Sequence, residues 1–170
     1  GMTAKDKDGY NDLVNNLPYI TRKAAEIYDL VFLDLPKGMS QKFVRDTLAD
    51  AEIVVCICNQ DVIKLDEFFN KVSAVEELKD KQKIYVIADY ESKSRFNIQN
   101  IKIKYRIKEP IYAVPHNYLF ADACNTGTVI DFVYKNINAD SRDYNGYFLS
   151  QTNEVVSRIF ELSKLKEESN

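Results

Sequence analysis

Apolar residues in this chain form short continuous runs, separated by stretches in which they recur at helical spacing. Residues 1–17 are polar with scattered apolar positions and read as a loose lead-in. Pro18 can open a helix, since the first turn needs no backbone donor there, and Ile20, Ala24 and Ile27 then share one face. The run Leu30-Val31-Phe32-Leu33, closed by Asp34-Leu35-Pro36-Lys37-Gly38, predicts a strand buried on both faces of a parallel sheet. A helix from about Gln41 to Asp50 follows, with Phe43, Val44, Thr47 and Leu48 inward, and then a second buried strand over Ile53 to Cys58. Asp61 or a neighbour can cap a longer helix in which Leu65, Phe68, Phe69, Val72 and Leu78 recur. Ile84 to Ala88 predicts a third strand, and Ile111 to Val114 a fourth, ended by Pro115.

Strands alternating with helices argue for βαβ units with right-handed crossovers. The predicted fold class is therefore α/β, a predominantly parallel sheet flanked by helices, as one domain over residues 18–165 with a tail at 166–170. Residues 98–107 stay open between two readings. Ile98, Ile101 and Tyr105 fit a helix, while Ile101, Ile103, Tyr105 and Ile107 alternate as in a strand. The polar stretch from Asn136 to Gly146 reads as a surface loop. A final helix is expected from about Gln151 to Leu165, burying Val155, Val156, Ile159, Phe160 and Leu162.

Charge narrows the choice of partners. A formal net charge of −3 gives no electrostatic reason to expect nucleic acid as the main partner, so Lys102, Lys104, Arg106 and Lys108 read as a solvated face. No run of apolar residues is long enough for a membrane span, and the stretch Gly1 to Asp12 is too polar for a secretory signal; a cytoplasmic protein is expected. Gly1 before Met2 reads as a cloning remnant. Cys56 and Cys58 would point to the same face of their strand, but no second cysteine or histidine pair completes a metal set, so they read as small buried hydrophobes. His116 is the only histidine, which argues against a His-dependent triad or a His-rich metal site.

The informative segment for chemistry is Tyr28 to Ser40. An acid at the C-terminal tip of a buried parallel strand stands where open α/β sheets bind ligands. In phosphoryl-transfer sites such an acid holds Mg²⁺, and a following glycine lets the backbone approach the γ-phosphate. Asp34 and Gly38 have that relationship in the sequence.

This segment resembles the Walker B strand and second switch loop of the ParA/MinD group of P-loop ATPases, in particular the CpaE/TadZ-like branch with its Asp-Leu-Pro. The likeness covers most of residues 18–165. Ala49 to Val55 is similar to the family's passage into the next strand. Ile84 to Tyr90, with Lys93 to Asn97, resembles the strand and loop that approach adenine. Pro110 to Asn117 resembles the next strand and its base-contacting loop, and Ala123 to Val129 the family's Ala-x-x-x-Gly-x-Val segment. The resemblance implies ATP and Mg²⁺ as cofactors of the intact family, with Asp34 as the metal-side carboxylate. Gly38, Ala88, Asp89, Pro115 and His116 would be the nucleotide-binding positions. It further implies a bacterial nucleotide switch that dimerises and positions pilus, secretion or partition machinery.

Two departures shape the expectation. The strand that would meet adenine ends Ala88-Asp89, where the family has an asparagine, and no G-x-x-x-x-G-K-[ST] occurs anywhere in the chain. That loop supplies most of the phosphate grip. The chain is therefore expected to be the C-terminal portion of such a domain, neither holding ATP and Mg²⁺ nor hydrolysing ATP by itself. The edge of the strand Leu30 to Asp34 would be covered by a missing N-terminal half, by another protein chain as partner, or by the lead-in of residues 1–17. There are two alternatives. Asp29 to Pro36 also resembles the phosphorylated strand of a receiver module, although residues 1–17 offer no strand for the acidic pair such a site needs. A non-catalytic interaction domain would accommodate both departures.

Overall fold

The computed structural model describes residues 4–36 and 41–164. The elements in chain order are α1 (Ala4–Ala25), α2 (Lys42–Asp50), β1 (Ile53–Asn59), α3 (Val62–Ala74), β2 (Gln82–Tyr90), α4 (Ile98–Tyr105), β3 (Ile111–Pro115), α5 (Tyr118–Thr126), α6 (Val129–Asn136) and α7 (Tyr144–Lys164), with a short 3₁₀ turn at Glu76–Leu78. The chain divides into two compact units, residues 1–52 with 73–81 and residues 53–72 with 82–170.

The larger unit contains a three-stranded parallel sheet in the order β1-β2-β3. Its register runs from Ile53 opposite Gln82 to Asn59 opposite Ala88, and from Tyr85 opposite Ile111 to Ile87 opposite Ala113. Alternation along the strands sends two sets of side chains to opposite faces. On one face Ile84 and Val86 bury against Leu162 of α7, with Ile53, Val55 and Val114 around them. On the other, Leu65 of α3, Ile87 of β2 and Ile101 of α4 form a fully buried core into which Cys58, Phe69 and Ile111 pack. Burying side chains of this size stabilises by roughly 1.5–3 kcal/mol each. Helices on both faces are what near-continuous apolar strands require. The architecture is the α/β, parallel-sheet class expected, and it is compatible with a Rossmann-like fold. Among the described residues no helix is long and apolar enough to cross a membrane.

Local signals account for the element ends. Asp61 accepts from the Lys64 N–H at 3.0 Å and opens α3. Asn97 does the same for α4, accepting from the Asn100 N–H at 3.0 Å, which resolves residues 98–105 as helix. Gly127, at φ 70°, closes α5 in the left-handed conformation, where the Thr128 N–H reaches the Ala123 carbonyl at 2.8 Å.

Five expectations fail. Leu78, expected on the same helix as Leu65 and Phe69, lies in the 3₁₀ turn after α3 has ended at Ala74. The strand over Leu30 to Leu33 does not form; residues 30–36 are irregular, and Val31, Phe32 and Leu33 are exposed at 37%, 70% and 38%. A strand exists only where a neighbour takes its backbone groups, and no ladder reaches this run. The stretch read as a loose lead-in is helical from Ala4, with Pro18 inside the helix rather than at its start. Tyr10, Leu13, Val14 and Leu17 recur at i, i+3, i+4 and i+7, a helical period diluted by polar neighbours. The loop over 136–146 ends early, because α7 begins at Tyr144. Within α7, Val156 and Phe160 are exposed. Val155, Ile159 and Leu162 form the inward stripe at i, i+4 and i+7, and a position one residue further on is turned about 100° away.

In the smaller unit α2 buries Val44, Thr47 and Leu48, as its spacing predicts. Arg22 of α1 pairs with Asp50 of α2 at 3.0 Å, and Arg45 with Glu77 at 2.7 Å. An exposed pair of this kind contributes at most about 1 kcal/mol.

Candidate functional site

The ladder between β2 and β3 breaks near its C-terminal end. Ile87 lies opposite Ala113 and Tyr90 opposite Pro115, so Ala88 and Asp89 together face Val114. The extra residue makes a bulge, a device that re-aims a side chain and recurs next to active sites. Asp89 sits in the left-handed region at φ 52°. Aspartate tolerates that conformation better than most residues, but an L side chain still costs about 1–2 kcal/mol there. Strain of this kind persists where surrounding structure holds it, and it clusters at ligand sites.

The bulge brings Asp89 to His116, which directly follows β3. Asp89 Oδ1 lies 3.1 Å from His116 Nδ1, with the two side chains 69% and 63% exposed. A carboxylate can only accept, so Nδ1 carries the proton and Nε2 is left as a lone pair in the neutral ring. The His116 backbone is held in turn. The Tyr144 hydroxyl donates to its carbonyl at 3.0 Å and accepts from the Tyr118 N–H at 3.1 Å. The rings of Tyr118 and Tyr144 stack, centroids 5.4 Å apart.

Behind this pair runs a relay of amides. Asn117, 4% exposed, accepts from the Phe120 N–H at 2.8 Å and so caps α5. Its Nδ2 donates to Asn145 Oδ1 at 3.0 Å, Asn145 Nδ2 donates to Asn136 Oδ1 at 3.0 Å, and Asn136 Nδ2 donates to the Phe132 carbonyl at 2.7 Å. The relay ties the start of α5 to the ends of α6 and α7 that meet there. Beneath it Phe120, Phe132 and Phe148 pack edge-on and tilted, Phe120 and Phe148 with centroids 4.9 Å apart.

These elements border an open hollow of about 340 Å³. Ala88, Asp89, Pro115 and His116 line it together with apolar surface from Phe120 and Phe148. Its position beyond the carboxyl ends of parallel strands is where open α/β sheets receive ligands. An apolar lining with a few converging polar groups is the usual composition of a small-molecule site.

The neighbouring strand end is organised as well. The Gln60 side chain donates to the carbonyls of Glu91 at 3.1 Å and Phe96 at 2.7 Å, and accepts from the Glu91 N–H at 2.9 Å, clamping the loop after β2. Asn59 stands opposite Ala88 at the tip of β1. Its Oδ1 is shielded from solvent with no hydrogen-bond partner among the described residues.

Of the positions expected from the sequence, Ala88, Asp89, Pro115 and His116 meet in this one hollow. Asp34 belongs to the smaller unit, exposed on the irregular segment rather than at a strand tip. The strand that both the Walker B and the receiver resemblances call for does not form over residues 30–36. Gly38 lies outside the described residues. Asp34 offers a single carboxylate, and Mg²⁺ held by one carboxylate leans on substrate phosphates for the rest of its shell. With no phosphate-cradling motif in the chain, the residues present do not fit a bound Mg²⁺. Among the described residues no three His, Cys, Asp or Glu side chains gather into a metal-holding group.

Cys56 is buried and Cys58 packs half-buried against the Leu65 core, whereas Cys124 is exposed; burial pushes the Cys56 thiol up to about 11, with Lys83 pulling the other way. In the basic stretch, Lys104 pairs with Asp66 at 2.8 Å, and the Tyr105 hydroxyl donates to the same carboxylate at 2.6 Å. Those two hydrogen bonds hold the Asp66 carboxyl below its ordinary range. Sequence reasoning missed Gln60, Asn117 and Tyr144. Asn117 carried a usable signal, an asparagine directly before an apolar helical run; Gln60 and Tyr144 act through contacts distant in sequence and carried none. Compared with protein-family models, curated proteins and solved structures, the chain matches none.

Proposed function

We propose that this chain is the base-holding portion of a ParA/MinD-type nucleotide switch of the CpaE/TadZ-like kind, which positions pilus, secretion or partition machinery. On this reading the phosphate grip is supplied from elsewhere, by a further part of the same protein or by a partner chain. The observation that carries the reading is the strained bulge that sets Asp89 beside His116 over an apolar hollow at the strand ends. The reading is supported further by the order of the pieces, an acid-tipped segment followed by two strand-loop pairs that would approach a purine.

The chain's own residues then do two things. Phe120, Phe148 and Pro115 offer apolar surface to the base, while Asp89 and His116 meet its polar edge. On this reading the chain does not hydrolyse ATP by itself, since its sequence has no G-x-x-x-x-G-K-[ST] loop to hold a triphosphate. An apolar contact plus one or two exposed hydrogen bonds supports binding on the order of millimolar, about 4 kcal/mol.

The test compares nucleoside monophosphates with triphosphates by amide chemical-shift titration, with and without Mg²⁺. Purine nucleotides should move the signals of residues 88–89 and 116–121, the triphosphate binding within about twofold of the monophosphate. A triphosphate that binds more than about tenfold tighter with Mg²⁺, or is turned over, would show that this chain has a phosphate grip. Unmoved signals in those segments with every nucleotide would end the nucleotide reading.

A further inference from the structure

We infer that α6 is a self-association surface, through which two copies of this chain pair antiparallel about a twofold axis at Tyr134. The inference draws nothing from the nucleotide reading and stands or falls apart from it.

The starting point is a helix with two apolar stripes. α6 packs inward through Val129, Phe132 and Val133, against the core that holds Phe120 and Phe148. A surface helix with one such stripe ordinarily carries polar residues on the rest of its face. Here Ile130 and Tyr134 each follow an inward residue directly and are turned about 100° from it. Ile137, which continues the helical backbone at φ −60°, completes a second stripe at i, i+4 and i+7. These three side chains are 84%, 82% and 65% exposed, and Ile130 and Tyr134 are the two most exposed large apolar residues among the described ones. Scattered exposed apolar residues need no explanation, but three in line on one short helix form a patch.

Charge decides which occupant fits that patch. Asp131 and Lys135 follow Ile130 and Tyr134 and so border the stripe on the side away from the core. Neither has a hydrogen-bond or ion-pair partner among the described residues, although their spacing along the helix allows them to meet. Asp131 stands in the first turn and Lys135 in the last, where each also suits the helix dipole. Their presence alone therefore calls for no partner; their order selects one. The partner must lay apolar surface on the stripe, with a cation opposite Asp131 and an anion opposite Lys135. A second α6 running the other way supplies all three.

A twofold contact is self-complementary, so each pairing occurs twice. With the axis at Tyr134, that ring meets the partner's Tyr134, and Ile130 meets the partner's Ile137. On the same flank Asp131 faces the partner's Lys135, and Lys135 faces the partner's Asp131. Such a contact closes at two copies. A helix of 8 residues offers little area. The contact falls below the roughly 1,200 Å² of standard interfaces, so the dimer is weak and reversible, with a dissociation constant on the order of 100 µM.

Sedimentation equilibrium of the full chain, from about 10 µM to about 1 mM to span that constant, tests it. A reversible monomer–dimer equilibrium is expected. Asp131→Lys and Lys135→Asp each set two like-charge pairs across the axis and should weaken the dimer about tenfold. Both side chains are exposed, so the fold stands, which far-ultraviolet circular dichroism checks. An equimolar mixture of the two variants should recover the parent's affinity, because every pair in the mixed dimer is then of opposite charge. Tyr134→Glu sets a charge against itself on the axis and should leave a monomer. A parent chain monomeric over the whole range overturns the inference, as does association that continues past the dimer. A dimer unmoved by Tyr134→Glu overturns it by placing self-association on another face. A mixture no tighter than either variant alone overturns the antiparallel pairing on which it rests.

Discussion

Removing the Asn117 side chain should cost the protein about 2–4 kcal/mol, through two separable losses. The first is the cap of α5. With alanine at 117 the Phe120 N–H loses its acceptor at 2.8 Å, and replacing an asparagine cap by alanine costs typically about 1 kcal/mol. The second is the relay. Asn145 Oδ1 loses the donor at 3.0 Å that satisfies it, in a place where Asn117 itself is only 4% exposed and water has little room to substitute. Stranding a buried polar group costs about 1–3 kcal/mol. The sum is a large fraction of the stability of a domain this size.

Urea unfolding followed by far-ultraviolet circular dichroism measures it. With an m-value of about 1–3 kcal/mol per molar urea, the midpoint should fall by roughly 1–2 M at constant m. Asn117→Asp separates the two losses. The carboxylate still accepts from Phe120 and caps the helix, but it cannot donate to Asn145, so an intermediate loss of about 1–2 kcal/mol is expected. If Asn117→Ala falls within about 0.5 kcal/mol of the parent, the relay contributes nothing and the account is wrong. Equal losses from both substitutions would refute the capping role alone.

Two glycines should respond differently to the same methyl group. At Gly127 an added Cβ meets nothing within 4 Å, so Gly127→Ala costs only the left-handed backbone, about 1 kcal/mol. At Gly146 it would run into the backbone carbonyls of Ala139 and Asp140, which cannot swing aside, so Gly146→Ala should lower the melting temperature clearly more; the reverse order would refute the packing described for the start of α7. Stability should also fall in alkali. The buried Cys56 thiol keeps its proton to about 11, whereas the unfolded thiol loses it from about 9.0. The unfolded state then binds fewer protons, and the stabilisation, complete below the unfolded value, is lost as pH rises towards 11, at most about 2–3 kcal/mol. Tyr85, pushed by burial up to about 12, falls away in the same direction at higher pH. Urea midpoints at several pH values should show a shallower alkaline decline in Cys56→Ala; parallel declines would place the effect elsewhere.

The parts of this molecule legible in its sequence are those decided by local pattern. Ile53 to Cys58, Ile84 to Ala88 and Ile111 to Val114 are strands because unbroken β-branched and apolar runs need a sheet covered on both faces, and that need is visible residue by residue. Asp61 opens its helix for an equally local reason. The bulge at Asp89 was not legible. It depends on the register of β2 against β3, which no single strand encodes. Ala88, Asp89, Pro115 and His116 were candidates from a likeness of order and spacing, while their meeting in one hollow is a property of the packed sheet. The inward stripe of α7 was half legible, since periodicity marks a broad face but not which edge of that face the sheet covers, and Val156 and Phe160 fell on the open edge.

The failed strand at Leu30 to Leu33 bears most directly on function, because its failure is a statement about neighbours rather than propensity. Four consecutive apolar residues, two of them of strongly strand-forming type, ordinarily find a sheet. Here they lie irregular, with Phe32 70% exposed, although other runs of the same character in the same chain pair completely. When local preference and environment disagree in a natural sequence, the disagreement tends to mark a place where something else completes the structure. On the proposed reading that completing element is the strand leading into a phosphate-binding loop, and it would accomplish two things at once. It would satisfy the backbone groups of residues 30–34 in a ladder, and it would turn Asp34 from an exposed loop acid into a strand-tip carboxylate with phosphates to face. The fold of that segment and the chemistry assigned to Asp34 therefore depend on the same partner. On that reading the hollow that would take the base is already bordered by β2, β3 and α5, so base contact would not wait on the partner, whereas any role for Asp34 in phosphate chemistry would.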